Sequence, residues 1–159
     1  MRSEIERLTS KFFFDRNFIF VEPPVLHEAI ANKKSEIYVP LYNGKYSLSS
    51  SNALFMGMYA SEFNKVFTIS RCFRDECDTL NHLVEFDILE VEILHCTMDD
   101  MIQLIQSYLK FILCQLLESS SIKASSELTE RIMKLKDEFA RSIGVFSNAG
   151  VFNLNSVGV

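Results

Sequence analysis

Two strand-like runs on either side of a long polar connection constrain this chain more than any other feature of its sequence. Residues 66–73 are rich in β-branched and aromatic side chains, and residues 86–94 alternate between two faces of a strand. The connection between them, residues 74–85, is far too long for a minimal hairpin turn. Long connections in compact domains usually carry function, so we expect a functional site in this segment.

The N-terminal part of the chain indicates a helix followed by short strands. Ser3 has the residue type of an N-cap, and a glutamate three residues later completes a capping box. Asn17 tolerates the left-handed turn that leads from a helix into a strand, which we expect at residues 18–21. Between residues 37 and 48, two strand-like runs flank Asn43-Gly44, the strongest short-range signal for a tight hairpin.

Helical patterns occupy most of the remaining sequence. We expect a helix at residues 53–63, a long helix that Thr97 caps together with Asp100, and a second amphipathic helix after a Ser-rich link. This order, with hairpin-joined strands, predicts an α+β domain in which helices flank an antiparallel sheet. Neither GxGxxG nor GxxxxGK[ST] occurs in the sequence, so a glycine-loop phosphate site has no support.

The composition limits the classes of function. A net charge of -5 argues against binding nucleic acid through a broad basic surface. The four cysteines form no CxxC pair and no secretory signal precedes them, so we expect reduced thiols in a cytoplasmic protein. No run of 18 residues lacks polar side chains, which argues against a membrane span.

Three side chains at the ends of the polar connection suit a nucleoside phosphate. Arg74 offers a fork of donors for a phosphate or a carboxylate, and His82 can donate to a second phosphate oxygen. Phe86 offers a flat face to a base. Glu90 and Glu92 share a strand face, but acidic residues there are usually solvated or paired with lysine, so we assign no metal ligands.

The order and spacing of these residues resemble the second motif of the class II aminoacyl-tRNA synthetases of the aspartyl, asparaginyl and lysyl subgroup. The matching stretches are Phe73-Arg74-Asp75-Glu76, Thr79, His82-Leu83, Glu85-Phe86 and Glu90-Val91-Glu92. The resemblance implies that Arg74 holds the α-phosphate of ATP and the carboxylate of the amino acid. It also implies that Glu76 contacts ATP or the tRNA 3′ end, that His82 reaches the terminal phosphates and that Phe86 stacks on adenine.

Two upstream segments resemble other parts of the same catalytic domain. Residues 1–26 are similar to the first motif, which implies a homodimer. Residues 37–60 resemble the strand and helix that hold the amino acid, which implies that Ser51, Asn52 and Arg74 contact it. Asn52 and Ala53 stand where asparaginyl enzymes tend to have glycine and glutamine, so asparagine and aspartate both remain open.

The resemblance implies that residues 1–159 form one partial catalytic domain of the class II synthetase-like fold. Its parts are a dimerisation motif (1–26), an amino-acid pocket (37–60), an ATP-binding strand-loop-strand (66–94), a helical part (97–143) and an irregular tail (144–159). The third motif, which carries a second ATP-binding arginine, is not found before Val159. We therefore expect nucleotide binding without full turnover.

The implied function is ATP-dependent activation of asparagine or aspartate for tRNA aminoacylation, with ATP and Mg²⁺ as cofactors. Two alternatives remain open. One is a tRNA-independent ligase similar to the asparagine synthetases related to this family. The other is a non-catalytic synthetase paralogue that acts as a binding or dimerisation module.

Overall fold

The computed structural model describes residues 1–28, 36–40, 46–76, 82–119, 123 and 125–144, and the predicted Asn43-Gly44 turn and the tail beyond residue 144 lie outside these ranges. The helices are α1 (Arg2–Phe14), α2 (Ala53–Phe63), α3 (Met98–Glu118) and α4 (Ser126–Gly144). The strands are β1 (Ile19–Phe20), β2 (Leu26–Glu28), β3 (Tyr38–Val39), β4 (Tyr46–Leu48), β5 (Lys65–Phe73) and β6 (Glu85–Ile93).

The chain divides into two compact units. The helical unit comprises Met1–Arg16 and His95–Val159, and the sheet unit comprises Asn17–Leu94. The prediction that residues 1–159 form a single partial domain stays a prediction.

The helical unit is held together by apolar side chains of α1, α3 and α4. Its buried core consists of Leu8, Ile112, Leu116 and Ile132. Aromatic rings extend this core, because Phe12 lies 5.2 to 5.4 Å from the rings of Phe13, Tyr108 and Phe111. Ring pairs at such distances add to the stabilisation that burial alone provides.

The helix starts confirm one capping prediction and correct another. At α3, Thr97 Oγ1 accepts a hydrogen bond from the Asp100 backbone N–H at 3.2 Å, and the Asp100 carboxylate accepts one from the Thr97 N–H at 3.1 Å. This is the predicted capping box. The predicted N-cap Ser3 is wrong, because α1 already begins at Arg2 and the Met1 carbonyl accepts the first helical hydrogen bonds.

The sheet unit contains two three-stranded sheets. In the first, β5 lies between β1 and β6, and β5 and β6 pair antiparallel over nine residues, from Lys65 opposite Ile93 to Phe73 opposite Glu85. In the second, β4 pairs antiparallel with both β2 and β3. The predicted α+β class with antiparallel pairing is confirmed, and Asn17 has the predicted left-handed backbone, with φ of 60°.

Two pairings in the sheet unit were not predicted. Strand β1 pairs with β5 in parallel, and β2 joins the second sheet two residues after Pro24. Strands of two or three residues carry almost no periodic signal, so their pairing depends on the partner strand rather than on their own sequence.

Helix α2 packs against β5 and β6, and a small buried cluster joins it to β5. The cluster consists of Val21, Met56, Ala60 and Val66. This packing fixes the N-terminal end of α2, which follows Asn52, beside the strand pair that carries the predicted site. Among the helices that the structure describes, none is long and apolar enough to cross a membrane.

Candidate functional site

Arg74 is the first residue of the long connection and directly follows the end of β5. Phe73 and Glu85 form the last residue pair of the ladder. One residue further, the Arg74 backbone N–H donates to the Val84 carbonyl at 2.9 Å. The two strands therefore hold Arg74 at a defined position although residues 77–81 of the connection lie outside the description.

The side chains of Arg74 and Phe86 lie next to each other. The guanidinium carbon of Arg74 is 5.1 Å from the centre of the Phe86 ring, a distance at which a cation is attracted to a ring face. The same guanidinium donates through Nε to the Ser50 carbonyl at 3.2 Å. Both side chains are half-buried. A guanidinium group and an aromatic ring are thus combined in one place.

Glu76 and His82 lie on the described ends of the connection. Both residues are exposed, and the Glu76 backbone N–H donates to the Arg74 carbonyl at 2.9 Å. This hydrogen bond closes a tight backbone turn between Arg74 and Glu76. Their predicted contacts with ATP stay predictions.

The segment Ser49–Asn52, which leads from β4 into α2, runs beside the same strand pair. The Glu90 carboxylate of β6 accepts from Ser51 Oγ at 2.8 Å and from the Asn52 backbone N–H at 3.0 and 3.1 Å. Because Asn52 is the N-cap of α2, the carboxylate also lies at the positive end of the helix dipole. Glu90 therefore ties the start of α2 to β6.

The Asn52 side chain is enclosed by polar groups of the sheet unit. It is 1% exposed, and its oxygen accepts from Ser49 Oγ at 2.8 Å. Its nitrogen donates to Ser70 Oγ at 2.7 Å and lies 3.6 Å from Cys72 Sγ. Buried amides need such partners, because an unsatisfied polar group in the interior is destabilising.

Cys72 is a buried thiol in this network. Its burial raises the pKa of the thiol above its usual value, and the negative charge of Glu90 raises that pKa further. The thiolate form is therefore disfavoured, which makes Cys72 a structural hydrogen-bond partner rather than a nucleophile.

The sequence indicated most of these residues, but it did not indicate the hydrogen bonds between them. The alternation in β6 placed Glu90 beside Phe86 on one strand face, yet nothing in the sequence showed that Ser51 and Asn52 donate to Glu90. Ser49 and Ser70 were not assigned a role. The two hydroxyls carry no local pattern, because the serines are 21 residues apart in the chain.

The described residues do not provide a metal cage. No group of three or more His, Cys, Asp or Glu side chains in the described ranges is arranged to hold a metal ion. Glu92 is exposed, and Glu90 is already engaged by Ser51 and Asn52.

The sequence and the fold of the chain match a known class of protein. The family model for class II tRNA synthetases (D, K and N) matches residues 1–146. The chain belongs to this family. The resemblance stated from the second-motif residues is thereby confirmed.

The relatives that the chain resembles include asparagine–tRNA ligases. The chain is 32% identical to that of Mycoplasma genitalium over 127 residues, covering 76% of this chain and 28% of the relative. It is also 32% identical to that of Thermus thermophilus over 124 residues, with the same coverage. The chain thus spans about 28% of the length of the curated relatives it matches.

Solved structures of asparaginyl-tRNA synthetases share the fold. The Pyrococcus horikoshii enzyme, complexed with asparaginyl-adenylate, matches 91% of this chain and 30% of its own, with a TM-score of 0.62 and 19% identity. The Entamoeba histolytica enzyme in complex with asparaginyl-adenylate matches 94% of this chain and 30% of its own, with a TM-score of 0.63 and 18% identity.

Proposed function

We propose that this chain forms the ATP- and amino-acid-contacting part of an asparaginyl-tRNA synthetase active site, which activates asparagine as its adenylate for transfer to tRNA. The observation that carries the proposal is the placement of the Arg74 guanidinium beside the Phe86 ring, with its Nε bound to Ser50. The 32% identity to asparagine–tRNA ligases supports asparagine over aspartate.

In this proposal one set of residues contacts ATP, and a second set, which shares Arg74, contacts the amino acid. Arg74 binds the α-phosphate and the substrate carboxylate, where its charge offsets the negative charge that develops as the carboxylate attacks phosphorus. Phe86 stacks on adenine, His82 contacts the terminal phosphates, and Glu76 contacts ATP or the tRNA 3′ end. Ser51 lies on the amino-acid side, where its hydroxyl is held by Glu90.

Mg²⁺ enters the proposal only as a companion of ATP. The described residues do not form a cage for it. Mg²⁺ is commonly bound through substrate phosphates and few protein carboxylates, so no ligand of this chain is assigned to it.

The proposal extends to assembly and location. We propose a homodimer formed through residues 1–26, supported by large apolar side chains that are exposed there: Phe14, Ile19, Phe20, Val25 and Leu26. A monomer by light scattering would contradict it. The cytoplasmic location is supported by the free thiols of Cys72, Cys96 and Cys114.

The test is ATP binding by calorimetry, followed by ATP–pyrophosphate exchange with asparagine and with aspartate. Arg74→Ala is expected to abolish ATP binding. The matched control is Arg71→Ala, which removes an arginine three residues earlier in β5 that pairs instead with Glu85 and Asp87. Equal ATP affinity in the wild type and Arg74→Ala would show that the nucleotide does not bind at Arg74.

Exchange activity separates the alternative functions. Exchange with asparagine and charging of tRNA support the synthetase. Exchange without charging favours the tRNA-independent ligase. ATP binding without exchange fits both the expected binding without full turnover and a binding module, and it argues against the tRNA-independent ligase.

A further inference from the structure

The backbone of Asn52 does not explain why asparagine stands at this position. Its φ of -103° and ψ of 8° lie in a region that L-residues adopt, so no glycine-like freedom is needed there. The side chain also makes no capping hydrogen bond to α2. The reason for the asparagine must therefore lie in what its amide contacts.

The amide of Asn52 has no donor left for a ligand. One contact of its nitrogen is with Ser70 Oγ and the other with Cys72 Sγ, while its oxygen accepts from Ser49 Oγ. The side chain is also almost completely buried. Direct contact with an amino acid would break these hydrogen bonds and leave buried polar groups unsatisfied.

The segment that Asn52 anchors contacts both halves of the proposed site. On the phosphate side, the Ser50 carbonyl accepts from Arg74 Nε, and the Ser49 carbonyl accepts from the Phe73 backbone N–H at 2.8 Å. On the amino-acid side, Ser51 Oγ and the Asn52 backbone N–H donate to Glu90.

We infer that Asn52 is a positioning residue: its buried amide fixes the Ser49–Asn52 segment, and the Ser50 carbonyl of that segment orients the Arg74 guanidinium for ATP. This assigns Asn52 an indirect role in place of the predicted contact with the amino acid. The inference rests on the proposed function for its ligand, ATP, but the orientation of Arg74 is measurable without any ligand.

The first experiment follows the Arg74 Nε–H by NMR in the full chain without ligand. The variants are Asn52→Ala and Asn52→Ser, the second of which keeps a small polar group in case the first does not fold. The control is Asn64→Gly, which changes the exposed asparagine at the other end of α2, where φ is 65° and glycine is tolerated. Solvent exchange of the Nε–H is expected to accelerate about tenfold in the Asn52 variants, the equivalent of one lost hydrogen bond. It should stay unchanged in the control.

The second experiment is a double-mutant cycle on ATP affinity with Arg74→Lys. Lysine keeps the charge but has no Nε–H for the Ser50 carbonyl. Asn52→Ser is expected to weaken ATP binding roughly tenfold in the wild-type background and to have little further effect in Arg74→Lys. Equal weakening in both backgrounds would mean that Asn52 acts on general stability, and it would overturn the inference.

The two experiments separate the two claims. If the wild-type chain does not bind ATP, the proposed function fails, while the Nε–H exchange still decides whether Asn52 orients Arg74. If ATP binds but exchange of the Nε–H is the same in all variants, the positioning role fails and the proposed function stands.

Discussion

Replacing Glu90 by glutamine tests whether the junction between α2 and β6 depends on a charged acceptor. Glutamine keeps the shape of the side chain and one acceptor oxygen, but an amide nitrogen takes the place of the second oxygen. In the wild type, both carboxylate oxygens accept from the Asn52 N–H, at 3.0 and 3.1 Å, and one of them also accepts from Ser51 Oγ at 2.8 Å.

The expected loss follows from the number and kind of these contacts. A hydrogen bond to a charged group contributes about 1.5–3 kcal/mol, and a neutral one about 0.5–1.5 kcal/mol. Glu90 is half-buried and Ser51 is exposed, so solvent screening reduces the gain from the charge. We therefore expect Glu90→Gln to lower the free energy of unfolding by about 1–2 kcal/mol.

The assay is urea unfolding followed by circular dichroism, in which the midpoint should fall by roughly 0.5–1 M. Glu92→Gln is the matched control, because Glu92 lies two residues further on the same strand face and is exposed. Its effect should stay within about 0.5 kcal/mol. A Glu90→Gln protein as stable as this control would show that the carboxylate does not hold the start of α2.

Three further predictions concern the helical unit. Thr97→Ala removes the capping box of α3 and should cost about 1 kcal/mol in thermal unfolding, whereas an unchanged melting temperature would contradict the cap. The hydrogen bonds from Thr97 lower the pKa of Asp100. The stabilisation of the folded state that comes with this lower pKa is therefore present above the unfolded pKa near 4, and it is lost as the pH falls through the folded pKa. The difference between the wild type and Thr97→Ala should accordingly shrink at pH 3, and a constant difference would refute this reading. Phe12→Ala empties a fully buried ring position between α1 and α3 and should cost about 3–5 kcal/mol in urea unfolding, against a small change for Ile105→Ala, which removes an exposed side chain of α3 outside the proposed dimer segment.

Local chemistry was predictable where a few neighbouring residues decide the structure. Thr97 and Asp100 form their capping box because both partners lie within one helical turn. Asn17 takes the left-handed conformation because its own side chain tolerates it. The start of α1 was predicted wrongly at Ser3. The first helical hydrogen bonds are accepted by the Met1 carbonyl, and local residue types do not fix a helix end to within one or two residues.

The amino-acid sequence by itself determined the family and the order of the long elements, because a motif with fixed spacing carries that information along the chain. The same motif gave Arg74, His82 and Phe86 as candidate site residues. Only the tertiary structure decided what Asn52 and Glu90 do. Apart from Ser49, their partners lie 18 to 39 residues away in sequence and meet only when α2 packs on the β5–β6 pair. Hydrogen bonds between distant segments leave no periodic pattern, and they become visible only when the chain is folded.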